Sequence, residues 1–198
     1  AVLKKRRLRG WRHPDLDASL TRKRITNEIK LTIWLARRGA PVPAIWDVDI
    51  EESIIIMERI EGKPLIEVLR NNEHDEELLI NVGKAIRELH RNAVNHGDLS
   101  TNNILIDNNR NPVLIDLGLS SREYDLEGFG IDLHVLHEIL RASHPDVKGA
   151  MDLVLKGYQE LDEELGKPQP APGGMPPEAK DVLKRLEQIM MRVRYHGG

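Results

Sequence analysis

The chain has 198 residues, of which 40% are hydrophobic, 31% charged and only 4% aromatic, and its formal net charge is −3. That length supports one or two small lobes around a largely aliphatic core. The absence of cysteine excludes disulfides and cysteine-based zinc sites or nucleophiles. No apolar run approaches the roughly 18 residues of a membrane span and no signal peptide is visible, so a cytoplasmic protein is expected.

Taken in chain order, Ala1-Val2-Leu3-Lys4 reads as a short strand running into a basic segment. Residues 1–14 hold Lys4, Lys5, Arg6, Arg7, Arg9 and Arg12 with no acid among them, and Arg22-Lys23-Arg24 follow. Such a cluster is either a solvated face or a surface for phosphate, on a nucleotide or on RNA. The chain starts at Ala1 inside what reads as an element, so a preceding segment is expected. Residues Pro14 to Arg38 read as a helix stopped by Gly39 and Pro41. Trp46 to Asp49 and Ser53 to Glu58 read as strands, the second a buried aliphatic run, and Glu61 to Pro64 as a turn. Leu65 to Asn71 and Glu76 to Arg91 read as helices, the latter with Leu79, Val82, Ile86 and Leu89 on one stripe. Asn95 to Thr101 reads as a loop, then strands at Ile104 to Ile106 and Val113 to Ile115 flank an Asn-rich turn. From Leu126 the chain reads as helical, interrupted by a Pro- and Gly-rich loop at 167–177 and closed by an amphipathic helix from Glu178 to Arg194. Strands early and helices late predict an α+β fold.

The chemistry concentrates in His96-Gly97-Asp98-Leu99-Ser100-Thr101-Asn102-Asn103 and in Val113-Leu114-Ile115-Asp116-Leu117-Gly118. Phosphoryl transfer needs a carboxylate beside the acceptor and oxygen ligands holding Mg²⁺ on the phosphates. An Asp and an Asn five residues apart on a loop, followed by an Asp-x-Gly after a hairpin strand, supply that set. Glu28 shares a helical stripe with Leu31 and Leu35 and therefore faces inward, where a carboxylate needs a cation. Period-2 alternation puts Val2 on the face of Lys4. His134 and His137 stand three apart with His144 nearby, a spacing that can hold zinc but reads better as helix packing and capping.

These motifs resemble the protein-kinase catalytic loop His-Arg-Asp-x₄-Asn and its Asp-Phe-Gly motif, with Gly97 in place of Arg and Leu117 in place of Phe. The resemblance implies a bilobal protein-kinase-like fold: an N-lobe over 1–60 with a small sheet and one helix, and a minimal helical C-lobe over 61–198. It implies that Asp98, Asn103 and Asp116 are catalytic, with Asn103 and Asp116 holding Mg²⁺. Lys4 would hold the α- and β-phosphates of ATP with Glu28 as its partner. Adenine would lie among Val2, Met57, Glu58, Ile60 and Leu105, read by backbone groups of Glu58 and Ile60. Asp132 resembles the aspartate that braces the catalytic loop. No glycine-rich phosphate loop precedes Lys4, which is expected to lie in the preceding segment.

The set formed by Arg6, Trp11-Arg12-His13-Pro14-Asp15-Leu16-Asp17, Arg24-Ile25-Thr26-Asn27-Glu28, Met57-Glu58, the loop His96 to Asn103 and Ser143-His144-Pro145 narrows this. It resembles the small atypical Ser/Thr kinase and ATPase of the KEOPS complex, which in eukaryotes includes the p53-related protein kinase. RIO-type kinases are related alternatives. The resemblance implies work beside the tRNA threonylcarbamoyltransferase subunit and a small regulatory subunit, in threonylcarbamoyladenosine modification of tRNA. The basic segment Lys4 to Arg12 would then meet tRNA. Gly97 removes the arginine that would clamp a phosphorylated segment, and only 13 residues separate Gly118 from Asp132. The first favours constitutive or partner-controlled activity, and the second favours ATP hydrolysis or self-phosphorylation over extended protein substrates. A small-molecule phosphotransferase of the aminoglycoside or choline type and a nucleotide-switched scaffold subunit are the competing readings.

Overall fold

The computed structural model describes residues 1–6 and 13–196. The expectations for Arg7, Arg9, Trp11 and Arg12 in the basic segment therefore lie outside the described residues. Strand β1 (Val2–Lys5) is followed by helix α1 (Pro14–Ala36), then β2 (Ile45–Asp49) and β3 (Ile54–Met57). The three strands form one antiparallel sheet in the order β1-β3-β2. Proline at the first turn of α1 and acidic Asp15 and Asp17 favour helix initiation there. Gly39, at φ +76°, follows its last turn.

Strand β4 (Gly62–Pro64) pairs antiparallel with β6 (Ile104–Asp107), which pairs in turn with β7 (Pro112–Leu114). The expected turn at Glu61 to Pro64 is thus a strand, because the 104–107 edge offers its backbone a ladder that sequence proximity does not show. Helix α2 (Leu65–Arg70) follows β4 directly, and helix α3 (Glu76–Arg91) starts at Asp75, whose carboxylate accepts the Leu78 N–H at 2.9 Å. Residues Val94–Asn95, expected at the edge of a loop, form β5 and pair with β8 (Ser121–Arg122), while Leu117–Leu119 makes a 3-10 turn.

The expected continuous helix from Leu126 is divided. Helix α4 (Leu126–Ser143) stops at His144-Pro145, and α5 (Ala150–Leu165) begins after Gly149, which has φ +74°. A proline cannot continue the hydrogen-bond ladder of α4. Helix α6 (Ala179–His196) completes the chain. The main core gathers α2 to α6 with Leu31, Leu35 and Ala40, whereas Ile25, Ile29 and Ile55 form a smaller cluster between α1 and the first sheet.

Candidate active site

Strand β1 carries Val2 opposite Met57 and Lys4 opposite Ile55 in the sheet register. Lys4 Nζ donates to Glu28 Oε1 at 2.6 Å and to Asp116 Oδ1 at 2.8 Å. Glu28 comes from the middle of α1 and is 2% exposed. A carboxylate that deep needs compensating charge. It has two cations, because Arg6 Nη2 takes its other oxygen, Oε2, at 2.8 Å. The same Arg6 nitrogen reaches Asp116 Oδ1 at 3.1 Å. Three elements distant in sequence, β1, α1 and the 116–118 turn, are thus tied by one ion cluster.

Asp116 itself adopts a left-handed conformation, φ 58° and ψ 62°. That conformation costs energy for a residue other than glycine and is characteristic of functional turns. Burial raises the pKa of its carboxyl, but the Lys4 ammonium, the Arg6 guanidinium and the Gly118 N–H outweigh that and hold it below the ordinary carboxylate range. Asp116 is therefore an anion at neutral pH, with Oδ1 shared by two cations.

The catalytic-loop candidates form a second group. Asn103 Nδ2 donates to the Asp98 backbone carbonyl at 2.8 Å and to Asp98 Oδ2 at 3.2 Å. Turned this way, the Asn103 amide oxygen and the remaining Asp98 oxygen are the groups left to face a substrate. The Ile115 N–H donates to the Asn103 carbonyl at 2.9 Å, which links this loop to the residue before Asp116. Behind the loop, Asp132 from α4 accepts the His96 N–H at 2.5 Å and the Gly97 N–H at 2.9 Å. His90 Nε2 lies 3.2 Å from Asp132 Oδ2, and His90 Nδ1 lies 2.8 Å from the Tyr158 hydroxyl. Since a carboxylate only accepts, the Nε2 carries the proton and Tyr158 donates to Nδ1. Gly97 has φ +76°, and a side chain there would place its Cβ 2.4 Å from the Leu119 carbonyl oxygen. The short segment after Asp116 therefore lies directly on Gly97, and the arginine of an ordinary kinase could not occupy this position.

Toward the expected adenine region, the Glu58 N–H donates to the Ala44 carbonyl at 2.8 Å, and the Glu58 carboxylate accepts the Ala44 N–H at 3.0 Å. Among the described residues no hydrogen bond engages the Glu58 carbonyl or the Ile60 N–H. Met57, Glu58, Ile60 and Leu105 are each half-buried, and Val2 is 41% exposed. Leu105 sits on β6 opposite Pro64.

The donor set suits Mg²⁺ on a nucleotide. Magnesium on a nucleotide needs only one or two protein oxygens beside the phosphates, and the Asn103 amide and Asp116 carboxylate are oxygen donors of that kind. Among the described residues no group of three or more His, Asp or Glu is arranged to hold a metal by itself, and His134, His137 and His144 are not gathered into one.

Arg6 is part of the resemblance but is given no role there, and the structure places it in this cluster. Its signal was available: continued alternation along β1 puts Val2, Lys4 and Arg6 on one face. Asn27 and Ser120 also bind here, the Asn27 amide donating to the Ser120 carbonyl at 2.6 Å, and neither had a chemical signal beyond its place in a motif.

The chain matches the RIO domain family model over residues 4–131. It is 32% identical to the EKC/KEOPS complex subunit BUD32 of Gibberella zeae over 98% of this chain and 76% of that protein. It is 29% identical to the KEOPS complex subunit Bud32 of Pyrococcus abyssi, over 98% of this chain and 84% of that one. A Methanosarcina mazei protein named as a probable bifunctional tRNA threonylcarbamoyladenosine biosynthesis protein is 32% identical, and this chain spans 32% of its length. Among solved structures, the bifunctional kinase-methyltransferase WbdD shares the fold, with a TM-score of 0.55 and 16% identity over 81% of this chain and 40% of that one. The fold is thus protein-kinase-like and the chain is an enzyme of the phosphotransferase and ATPase class. It belongs to the RIO domain family of atypical kinases and, within it, to the family of the KEOPS complex subunit Bud32.

Proposed function

We propose that the chain binds Mg-ATP between its two lobes, residues 1–60 and 61–198, and moves the γ-phosphoryl group to water or to a serine or threonine within a KEOPS assembly. The observation that carries this reading is the ion cluster in which Lys4 Nζ stands 2.6 Å from Glu28 and 2.8 Å from Asp116. In this reading Lys4 exchanges its contact with Asp116 for the α- and β-phosphates while Glu28 keeps it in position. Asn103 and Asp116 hold Mg²⁺, which would neutralise charge developing on the phosphates. Asp98 orients the attacking hydroxyl or water and accepts its proton. The Glu58 carbonyl and the Ile60 N–H read the adenine edge, and Val2, Met57 and Leu105 sandwich the ring.

The partners in this reading are the tRNA threonylcarbamoyltransferase subunit and a small regulatory subunit, with tRNA meeting the basic segment Lys4 to Arg12 in a cytoplasmic setting. Support comes from the names of the relatives, including bifunctional proteins in which this chain matches about a third of the length.

The test is the fate of the γ-phosphate with full-length protein and Mg-ATP, alone and with the tRNA-modifying partner. Inorganic phosphate should be released on adding the partner, and Asp98→Ala and Asp116→Ala should each lower the rate by about 10²-fold or more. Turnover retained in Asp116→Ala would sink the site assignment. Phosphate found on a small molecule, with no effect of the partner, would favour a small-molecule phosphotransferase instead.

A further inference from the structure

Arg6 has a geometry that the Lys4–Glu28 pair does not itself require. Lys4 alone would leave Glu28 and Asp116 with one uncompensated negative charge between them; Arg6 brings the four groups to neutrality. Its side chain is 22% exposed, and one nitrogen, Nη2, spans both carboxylates at 2.8 and 3.1 Å. A Cβ built at Gly118 would fall 2.0 Å from that nitrogen. The glycine of Asp116-Leu117-Gly118 therefore leaves open the space that the guanidinium fills. Lys4 bridges the same two carboxylates, so Arg6 is a second cation tying α1 to the turn that carries Asp116.

That tie matters because two other means of holding α1 are missing from the sequence. Gly97 stands where an arginine could engage a phosphorylated segment, and the 13 residues from Leu119 to Ile131 are too few to fold back as a long segment against α1. We propose that Arg6 is a positioning residue that fastens Glu28 on α1 to Asp116 and keeps the site assembled before nucleotide arrives, without phosphorylation. This rests on the phosphotransferase reading above. Arg6 acts through Glu28 and Asp116, and it leaves Asp116 Oδ2 for a metal ion.

Three variants of the full-length protein test this. Arg6→Met removes the cation and keeps a long apolar stem. Gly118→Ala displaces the guanidinium while retaining its charge, and Gly118 does not have the positive φ that would strain an alanine. Arg6→Lys restores a cation that can reach one carboxylate at a time. In the absence of nucleotide, amide exchange over residues 20–32 of α1 should rise about tenfold in Arg6→Met and Gly118→Ala, with α3 and α5 unchanged. With Mg-ATP, kcat should fall about tenfold or more with KM altered less than about threefold, because misplacing a catalytic group costs rate more than binding. Arg6→Lys should recover part of both losses.

Unchanged α1 exchange in Arg6→Met would overturn the proposal even if kcat fell, since Arg6 would then be acting on the phosphates directly. A rise spread equally over α3 and α5 would also overturn it, making Arg6 a general stability residue. A wild-type protein that neither binds nor turns over Mg-ATP would instead sink the phosphotransferase reading, and the exchange comparison would still decide the role of Arg6.

Discussion

His90 and His96 are both fully buried, and both contact the framework that holds the catalytic loop. Burial lowers each pKa from its ordinary 6.5 because the interior disfavours the imidazolium; Asp132, next to both, only partly opposes this. The folded state therefore refuses protons that the unfolded chain accepts below about pH 6.5. Stability is fully present above that pH and falls as the pH drops through the histidine range. Each histidine should contribute a slope of at most about 1.4 kcal/mol per pH unit below pH 6.5. Asp116 and Asp162 have pKa values held below the ordinary 3.8, so they titrate outside this window. Urea denaturation at pH 5.0, 5.5, 6.0 and 7.0 measures the slope, and His90→Gln should reduce it by about one histidine's share. A flat profile would mean that these rings titrate freely when folded. At this scale spacing and motif single out Lys4, Glu28 and Asp116, and the structure brings these three side chains together. Arg6 belongs to the resemblance, but its role is not legible there because a basic run offers many cations, and only the face of β1 distinguishes this one.

Between elements, α3 and α5 pack backbone against backbone at two glycines. A Cβ at Gly83 would lie 1.9 Å from the Val154 carbonyl oxygen, and one at Gly157 would lie 1.9 Å from the Ile80 carbonyl oxygen. Each glycine faces the backbone of the other helix, which cannot give way as a side chain can. Gly157→Ala should therefore destabilise the fold by about 3 kcal/mol, at the upper end of the usual overpacking cost. Gly130→Ala is the control: its new methyl would meet the end of Ile189 at 2.8 Å and the Arg185 stem at 3.2 Å, with backbone no nearer than 3.6 Å, and should cost less than about 1 kcal/mol. Equal midpoints for the two variants in a thermal melt would show that the α3–α5 contact relaxes freely. The stripe of Leu79, Val82, Ile86 and Leu89 made α3 readable, since all four are buried where the period puts them. Strand β4 was unreadable because Gly62-Lys63-Pro64 has turn chemistry and becomes a strand only through pairing with residues more than 40 positions later. The end of α4 had a visible signal in Pro145, but apolar residues on both sides masked the break.

For the molecule as a whole, lobes at 1–60 and 61–198 are a proposal about sequence, and the packing gives α1 two allegiances. Ile25 and Ile29 pack with Ile55 of the first sheet, while Leu31 and Leu35 enter the main core with α2 to α6. Trp34 lies against that main core, between Arg38 at 3.8 Å and Arg122 at 4.1 Å from its ring. The smaller cluster buries far less apolar surface, so the first sheet is the part expected to open at lowest cost. Cooperativity turns on whether α1 opens with that sheet or stays with the helices. The greater burial of its C-terminal half favours the helices. All three tryptophans, Trp11, Trp34 and Trp46, fall within the first 60 residues, whereas five of the six helices among the described residues fall after them. With Trp11→Phe and Trp46→Phe, Trp34 becomes the sole fluorescent reporter of α1, and far-UV circular dichroism reports mainly the other helices. The two urea midpoints should agree within about 0.2 M, as for one cooperative unit. A fluorescence transition at clearly lower urea would assign α1 to the sheet and make residues 1–60 an independent folding unit. Agreement means instead that the helix bearing Glu28 is anchored in the same core as the catalytic loop.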